Sequence, residues 1–574
     1  MIDDDDIDFG PDLTNIFSEV GVDMLQRTPP THESNSLETN SDNEGKVFED
    51  FTELKDDPQI NTGFEFMESS KLHCSSYNEQ SLGCAESGEG SELWGKKGSE
   101  DRISELPDAL IHHIFSFLDM KYVVQTSVLS RRWRYLWSSL RTIEVVDIPF
   151  IKAGDAYEVT FNRFINFVDR LLLLRESSDI QSLNLVWLTV KLHLDVIGRY
   201  DIASRISTWI MAAVKHNIQE LRLLIFACEI IKLPDCLFTC KSLTKFVFCG
   251  AGVEHTGFLL PDTMHFPHLR YLALSGVTLA DENTLISKFF SSCPVLESLL
   301  LIDCSIHFDF SSLSLKHFQL DNCDTSGPTD TTVKLCAPNL ISIICKDYMS
   351  QDYFLENLSS LVTADIGIRV KYADEDPKPE MLKIYSELAT DVKELYRARM
   401  IKLLRAVRNV TDLRLSSSPV LLEVVSGSLD LLAGDPYFQF CNLRFLKVVT
   451  WVSRNCMNVI AYLVKISPNI ESIFLTIEQS ELNTNNTGGD WIVGSSSFPC
   501  LHYLKFVQIQ GIQGCLNELK LLQVLLKKAV VLEKVTLFCS ETDSPDRAAQ
   551  LVEFKEMLLA YPSASSSVSI SIQS

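Results

Sequence analysis

No run of about 18 apolar residues occurs anywhere in the 574-residue sequence, so no membrane-spanning helix is expected. Cationic residues are scarce: 51 Lys and Arg stand against 76 Asp and Glu, a net charge of −25. That balance argues against general nucleic-acid or acidic-membrane binding, both of which need basic surface. The sixteen cysteines form no CxxC pair; Cys236 and Cys240 are the closest two, and no histidine cluster completes a zinc site. Reduced thiols, buried as small apolar side chains, are expected. The acidic run Asp3–Asp6 close behind Met1 leaves no place for a secretory n-region, so a cytoplasmic or nuclear setting is expected.

Catalytic signatures are missing too. There is no GxGxxG and no GxSxG. Gly90-Ser-Glu-Leu-Trp-Gly-Lys-Lys approaches a phosphate loop, but Lys97 stands where a hydroxyl must hold Mg²⁺ and no strand precedes it, so it reads as linker. His112 and His113 are adjacent and point to different helix faces, a solvated pair. Asp3–Asp6 lacks the Gly turn and bidentate Glu of a Ca²⁺ loop. No enzyme activity, cofactor or metal is expected.

What is present falls into four parts. Residues 1–98 are rich in Asp, Glu, Ser, Asn and Gly. Residues 1–100 hold 24 acidic and 6 basic residues, a charge of −18, which leaves −7 for the rest. Such a segment buries too little to offset its ordering entropy and is expected to be disordered. It contains one acidic-hydrophobic stretch from Asp12 through Phe17. Residues 99–145 then concentrate apolar side chains. Leu106, Leu110, Ile114 and Leu118 share one helical face, with Pro107 in a first-turn position. Asp119 is placed to N-cap a second helix carrying Val123, Val124 and Val128, and Ser130 a third carrying Trp133, Leu136, Trp137 and Leu140. Three short helices cannot hide this much apolar surface alone, so the unit must dock on something.

In order and spacing, Leu106-Pro107, Ile111, Ile114, Phe115, Leu118, the run from Val124 to Trp133, and Trp137 resemble an F-box of the plant type that precedes leucine-rich repeats. The resemblance implies binding to the SKP-type adaptor of a cullin–RING ubiquitin ligase. The adaptor-binding residues it implies are Leu106, Pro107, Leu110, Ile111, Ile114, Phe115, Leu118, Val124, Leu129 and Trp133.

The segment from Ala156 to Leu174 reads as an amphipathic helix with Phe161, Phe164, Ile165, Val168 and Leu171 on one face. From Ile180 onward the pattern apolar-x-x-apolar-x-apolar recurs, starting at Ile180, Ile218, Leu243, Leu269, Leu296, Leu315, Leu340, Val410, Leu443, Ile470, Leu501 and Leu532, with a weaker copy at Leu361. These spacings match leucine-rich repeats, in which parallel strands alternate with return segments. Helices are expected over 283–292 and 457–467, and Cys304 and Cys323 should turn the chain out of their strands and lie buried. Residues 371–409 interrupt the repeats: a loop at Asp374, then a long helix from Met381 to Val407 with Leu388, Val392, Leu395, Met400 and Leu404 on its apolar face. A packing insert is preferred there over a lid. From residue 516 to 574, Leu525-Leu-Lys-Lys-Ala, Val531-Leu-Glu-Lys-Val-Thr and the run from Leu558 to Ser567 resemble the FBD module of plant F-box proteins, a final repeat and helix that cap the solenoid.

The fold expected is therefore α/β: a disordered acidic tail, a three-helix F-box, a leucine-rich-repeat horseshoe over 146–515 and a cap. The function implied is that of a substrate-recognition subunit of an SCF-type ligase. A non-ligase scaffold and a small-molecule, hormone-type receptor remain as alternatives. Alternation along each strand sends the third, fifth and seventh residues of a repeat to the concave face. Over the twelve clear copies these positions carry seven basic and three acidic residues, a surplus of +4, or +3 with the copy at Leu361. Phe445, Lys447, Phe474, Tyr503, Lys505 and Lys534 are the candidate target-binding residues, since aromatics beside cations make binding hot spots. The open alternative is that the cap or the 381–407 helix covers these aromatics as core.

Overall fold

The computed structural model describes residues 106–573, apart from 152–155, 176–178, 189–201, 226–229, 251–256, 278, 280–282, 305–307, 323–331, 350, 371–380, 416–419, 430–431, 433–437, 479–497 and 541–544. The expected acidic tail, the Asp12–Phe17 stretch, Cys323 and the loop at Asp374 lie outside the described residues.

Fifteen strands hydrogen-bond side by side in sequence order, all parallel. They are β1 (Thr142–Val146), β2 (Ser182–Trp187), β3 (Glu220–Ile225), β4 (Lys245–Cys249), β5 (Tyr271–Ser275), β6 (Ser298–Ile302), β7 (His317–Asp321) and β8 (Ser342–Tyr348). The series continues with β9 (Thr363–Arg369), β10 (Asp412–Leu415), β11 (Phe445–Thr450), β12 (Ser472–Ile477), β13 (Phe506–Ile512), β14 (Lys534–Cys539) and β15 (Ser569–Gln573). The pairing keeps equivalent positions opposite each other. Leu183 faces Leu221, Phe246 faces Leu272, Leu446 faces Ile473, and Val507 faces Val535. Each of these is buried. This column of branched and aromatic side chains fuses the repeats into one core, because no single repeat can bury its apolar face alone.

The return segments cover one side of the sheet. Helices α1 (Asp108–Phe115) and α2 (Met120–Gln125) precede it, and α3 (Tyr157–Leu173), α4 (Ile202–Lys215) and α5 (Asn283–Ser291) pack behind its first half. Phe161, Phe164, Ile165, Val168 and Leu171 of α3 are all buried. Phe164 meets Trp187 at 5.1 Å, and Trp187 meets Trp209 at 5.6 Å. The Trp209 indole donates to Asp169 at 2.7 Å. Between β6 and β9 the helices give way to short strands, Phe308–Ser311, Thr332–Cys336 and Asp352–Glu356, in a second parallel sheet. The alternation Phe-Asp-Phe-Ser and Thr-Val-Lys-Leu-Cys explains it, since a period of two does not make a helix.

The insert resolves into two helices, α6 (Met381–Glu387) and α7 (Thr390–Ala406), where one long helix was expected. Ala389 is extended, and Thr390-Asp391 supplies a fresh N-terminus. Met400, Ile401, Leu403 and Leu404 are buried, while Leu395 is exposed. Lys402 bonds Asp352 at 2.9 Å and lies over the Phe354 ring. The insert is packing, not a lid. After α8 (Val420–Ser426), the expected 457–467 helix runs over Arg454–Lys465 as α9.

Turns between repeats are fixed by side chains reaching back one repeat. Asn339 donates to the Leu313 carbonyl and Asn469 to that of Cys441, both at 2.7 Å. Cys304 is buried with its thiol on the Leu274 and Ile302 carbonyls at 3.2 Å, as its position in the repeat implied, and burial pushes the thiol up to about 12.

The C-terminal segment contains α10 (Leu516–Lys528) and α11 (Pro545–Leu559). Its tightest feature is Glu518, buried and accepting N–H groups from Gln513 at 3.0 Å and from Gly514 and Cys515 at 2.8 Å. Burial raises its pKa despite these three donors. Glu518→Ala would strand three backbone donors, a loss of about 2–4 kcal/mol. Chemical denaturation should show that fall, with a smaller one for Glu518→Gln, which keeps one acceptor oxygen.

Candidate interaction surfaces

The helical module before the sheet is apolar on two sides, and the structure separates them. Ile111, Phe115, Met120, Val123, Trp133 and Trp137 are buried. The Phe115 and Trp133 rings meet edge-on at 5.5 Å. Leu110, Ile114, Phe117, Leu118, Val128, Leu129 and Tyr135 are exposed, Val128 to 86% and Phe117 to 75%. Seven large apolar side chains are thus exposed within the 26 residues from Leu110 to Tyr135.

The ten residues expected on this surface therefore divide. Leu110, Ile114, Leu118, Leu129 and Pro107 are exposed, and Leu106 and Val124 are half-buried against the core. Ile111, Phe115 and Trp133 are buried in the core of the module. Spacing could not separate the two groups, because both faces of α1 are apolar. Phe117, Val128 and Tyr135 are exposed as well; Val128, expected on the second helix, lies in a 3-10 turn beyond its α-helical part, which ends at Gln125. The third helix is also shorter than expected. Ser130 accepts the Trp133 N–H at 3.3 Å, but only a 3-10 turn follows, Leu136–Ser139.

The module is joined to the sheet. Asp119 caps α2 by accepting the Lys121 N–H at 2.7 Å, while the Lys121 ammonium bonds the Pro149 carbonyl and lies over the Phe150 ring. His112 meets Ser139 at 3.2 Å, and Arg132 pairs with Asp108. Burial, with the Lys121 N–H opposing it and Glu144 adding to it, raises the Asp119 pKa to about 6.

The second surface is the face of the sheet away from the helices. In β2–β6 its outward positions mix buried apolar side chains, Val186, Leu224, Val247, Cys249, Ala273 and Leu300, with half-buried polar ones, Asn184, Glu220, Arg222, Lys245 and Tyr271. The outward positions of β10–β14 are accessible. Phe445 and Phe474 stack at 4.9 Å, and the Arg414 guanidinium lies 5.8 Å from the Phe445 ring. Lys447 is exposed between its register partners Arg414 and Phe474. Phe506 and Lys534 pair in register and are both exposed.

Two expected members of this face are corrected. Phe506 aligns with Ser472 and Lys534, so the repeat begins at Leu504 and not at Leu501. Both starts satisfy the pattern, because Leu501, Leu504 and Phe506 fit it as well as Leu504, Val507 and Ile509 do. Tyr503 is exposed in the turn before β13. Lys505 occupies the second position, where its N–H bonds the Glu471 carbonyl. That row carries its own ladder of charge: Arg270 with Glu297 at 2.5 Å, Lys316 with Glu297 at 2.8 Å, and Arg444 with Glu471 at 3.2 Å.

The charge surplus shrinks accordingly. The third, fifth and seventh positions of β1–β15 hold Arg222, Lys245, Lys346, Arg414, Lys447 and Lys534 against Glu144, Glu220, Asp321, Asp365 and Asp412, six minus five. Asp321–Lys346 and Asp412–Arg414 neutralise each other at 3.7 and 3.1 Å. Beyond β10 only Lys447 and Lys534 remain charged at these positions, so the face is positive at one end alone.

Among the described residues no group of His, Cys, Asp and Glu could hold a metal ion, and no helix is long and apolar enough to cross a membrane. The chain joins a helical module with exposed apolar side chains to a parallel-strand solenoid. Comparison with known proteins finds three family models and a set of relatives that the chain resembles. The F-box domain matches residues 103–144, the LRR repeats of the FBD-associated F-box protein At5g56370 match 206–358, and FBD matches 495–537. The chain is 28% identical over 495 residues to F-box/LRR-repeat protein At2g42730 of Arabidopsis thaliana, covering 83% of this chain and 98% of that one. It is 28% identical to F-box/LRR-repeat protein 13 of the same plant, covering 82% and 96%. The chain thus matches F-box, leucine-rich-repeat and FBD models in that order, and resembles plant proteins named F-box/LRR-repeat proteins.

The Asp119 carboxyl supplies a pH test of the junction. Its pKa is higher folded, about 6, than the ordinary 3.8, so the folded chain binds the extra proton between those values. Stability from this group is full below about pH 4 and is lost as pH rises through 6. Asp119→Asn, which can still cap α2, should flatten that decline when thermal unfolding is followed from pH 4 to 7.

Proposed function

We propose that the chain is the substrate-recognition subunit of an SCF-type cullin–RING ubiquitin ligase. The F-box holds the SKP-type adaptor, the sheet face of β10–β14 holds a target protein, and the chain itself makes no bond. Catalysis is by proximity to a ubiquitin carrier brought by the other subunits. The observation that carries this reading is the uncovered apolar patch of Leu110, Ile114, Phe117, Leu118, Val128, Leu129 and Tyr135 on a module whose own core is complete without it. Burying about 800 Å² of such surface gives about 20 kcal/mol gross, most of it offset by the costs of association. The compartment proposed is the cytoplasm or nucleus, where buried thiols such as Cys249, raised to about 12 by burial, stay reduced.

On the target side, Phe445, Lys447, Phe474 and Lys534 are the proposed contacts, now joined by Arg414 and Phe506. Tyr503 and Lys505 are set aside, since they lie off the strand face.

Leu110→Asp with Ile114→Asp should abolish recovery of the adaptor in a pull-down while the melting temperature holds, because both side chains are already in water. Phe115→Ala should instead lower stability by about 3–5 kcal/mol. Unchanged adaptor recovery from the double variant would sink the reading. On the target side, Lys447→Glu with Lys534→Glu should reduce capture of targets by an F-box-deleted chain, measured by mass spectrometry, at unchanged stability.

A further inference from the structure

The outward positions of β11–β14 hold no carboxylate. At the third, fifth and seventh places of these four strands stand four phenylalanines, two lysines, five neutral Ser, Thr and Gln side chains, and Val449. None of the twelve is Asp or Glu, in a chain with 76 of them. Earlier strands balance their charges instead: Asp412 binds Arg414 at 3.1 Å, and Asp321 binds Lys346 at 3.7 Å. Lys447 and Lys534 have no ion-pair partner among the described residues, and both are exposed.

The register sets one small residue among three large rings. Phe445, Ser472 and Phe506 lie side by side on β11, β12 and β13. Phe474 stands two residues beyond Ser472 and on the same face. Phe445 and Phe474 stack at 4.9 Å, and Phe506 is 40% exposed. Ser472 rises from the sheet by one hydroxyl where its three neighbours rise by a ring. The face is therefore lower there, a notch walled by aromatic carbon.

The two lysines stand on opposite sides of this notch. Lys447 faces Phe474 in register, and Lys534 faces Phe506. A strand spacing of about 4.8 Å and a rise of about 3.3 Å per residue put their Cα atoms about 16 Å apart, three strands across and two residues along. An extended chain covers about 13 Å between residues i and i+4, and the flexible lysine stems span the remainder. Residues i, i+2 and i+4 of such a chain share one side. The middle one falls over the notch, and the outer two fall toward the lysines.

We propose that the target segment held on this face carries an apolar residue with an acidic one, a carboxylate or a phosphorylated side chain, two positions to either side. The proposal rests on the reading of the β10–β14 face as the target site and adds the chemical class that the site takes. The apolar side chain enters the notch between the phenylalanines. Each acidic group meets a lysine that has no ion-pair partner of its own, and the neutral Gln508 and Thr536 add no charge to repel it. A nucleic acid fits less well: two lysines neutralise two phosphates, and Glu533, exposed one residue before Lys534, repels the next.

The test is fluorescence anisotropy on the full chain with a labelled glycine–serine peptide carrying one central phenylalanine and an aspartate two positions to each side. Replacing both aspartates by asparagine, or the phenylalanine by glycine, should weaken binding by roughly ten-fold or more. Ser472→Trp, which fills the notch, should weaken it as much at an unchanged melting temperature. Lys447→Glu with Lys534→Glu should lose the aspartate peptide and take up its lysine counterpart, a gain that misfolding cannot produce. An aspartate peptide that binds no better than its asparagine form overturns the proposal. So does a double variant with no preference for the lysine peptide, or a single-stranded oligonucleotide that binds more tightly than the peptide. Target capture by the F-box-deleted chain, read in parallel, separates the two levels. Capture that falls in the double variant without the peptide pattern removes the chemical class and keeps the face, whereas unchanged capture removes both.

Discussion

The parallel ladder governs everything else in this molecule. Each interior strand must satisfy backbone donors and acceptors on both edges, and here consecutive parallel strands in one register do so along the whole sheet. Stability is therefore a chain of nearest-neighbour terms, and the ends are where it is exposed. The F-box covers one end through α2 and β1, and the charged second-position row braces the strand entrances between.

That constraint also explains what the sequence made legible. The apolar-x-x-apolar-x-apolar pattern located the strands because burial imposes it. Where two frames fit equally, at Leu501 and Leu504, the frame came from pairing with Ser472 and Lys534, which no local pattern contains. β15 escaped because Ser567 holds the position that opens the pattern elsewhere. β1 fits it, from Leu140 through Ile143 and Val145, but belongs to the segment that resembles an F-box.

The interaction surfaces were legible in kind and blurred in membership. In α1 the residues that fill the core and those that face solvent are the same amino-acid types, so only burial separates Phe115 from Ile114. On the sheet, the aromatic and cationic cluster was found at Phe445, Lys447, Phe474 and Lys534. The burial of Val186, Leu224, Val247, Ala273 and Leu300 at outward positions of β2–β6 went unread, because Val, Ala and Leu there look like any strand residues.

The fusion of the helical module to β1 makes the solenoid a ruler. Ten strand spacings of about 4.8 Å separate β1 from β11, on the order of 50 Å along the sheet. The separation between whatever each surface grips is then counted in whole repeats. Gaining or losing one repeat would leave both grips chemically intact and step their distance and mutual bearing by a fixed increment, as a gear moves by one tooth. Divergence in repeat number can thus retune which part of a held protein faces a fixed reaction centre without altering a contact residue.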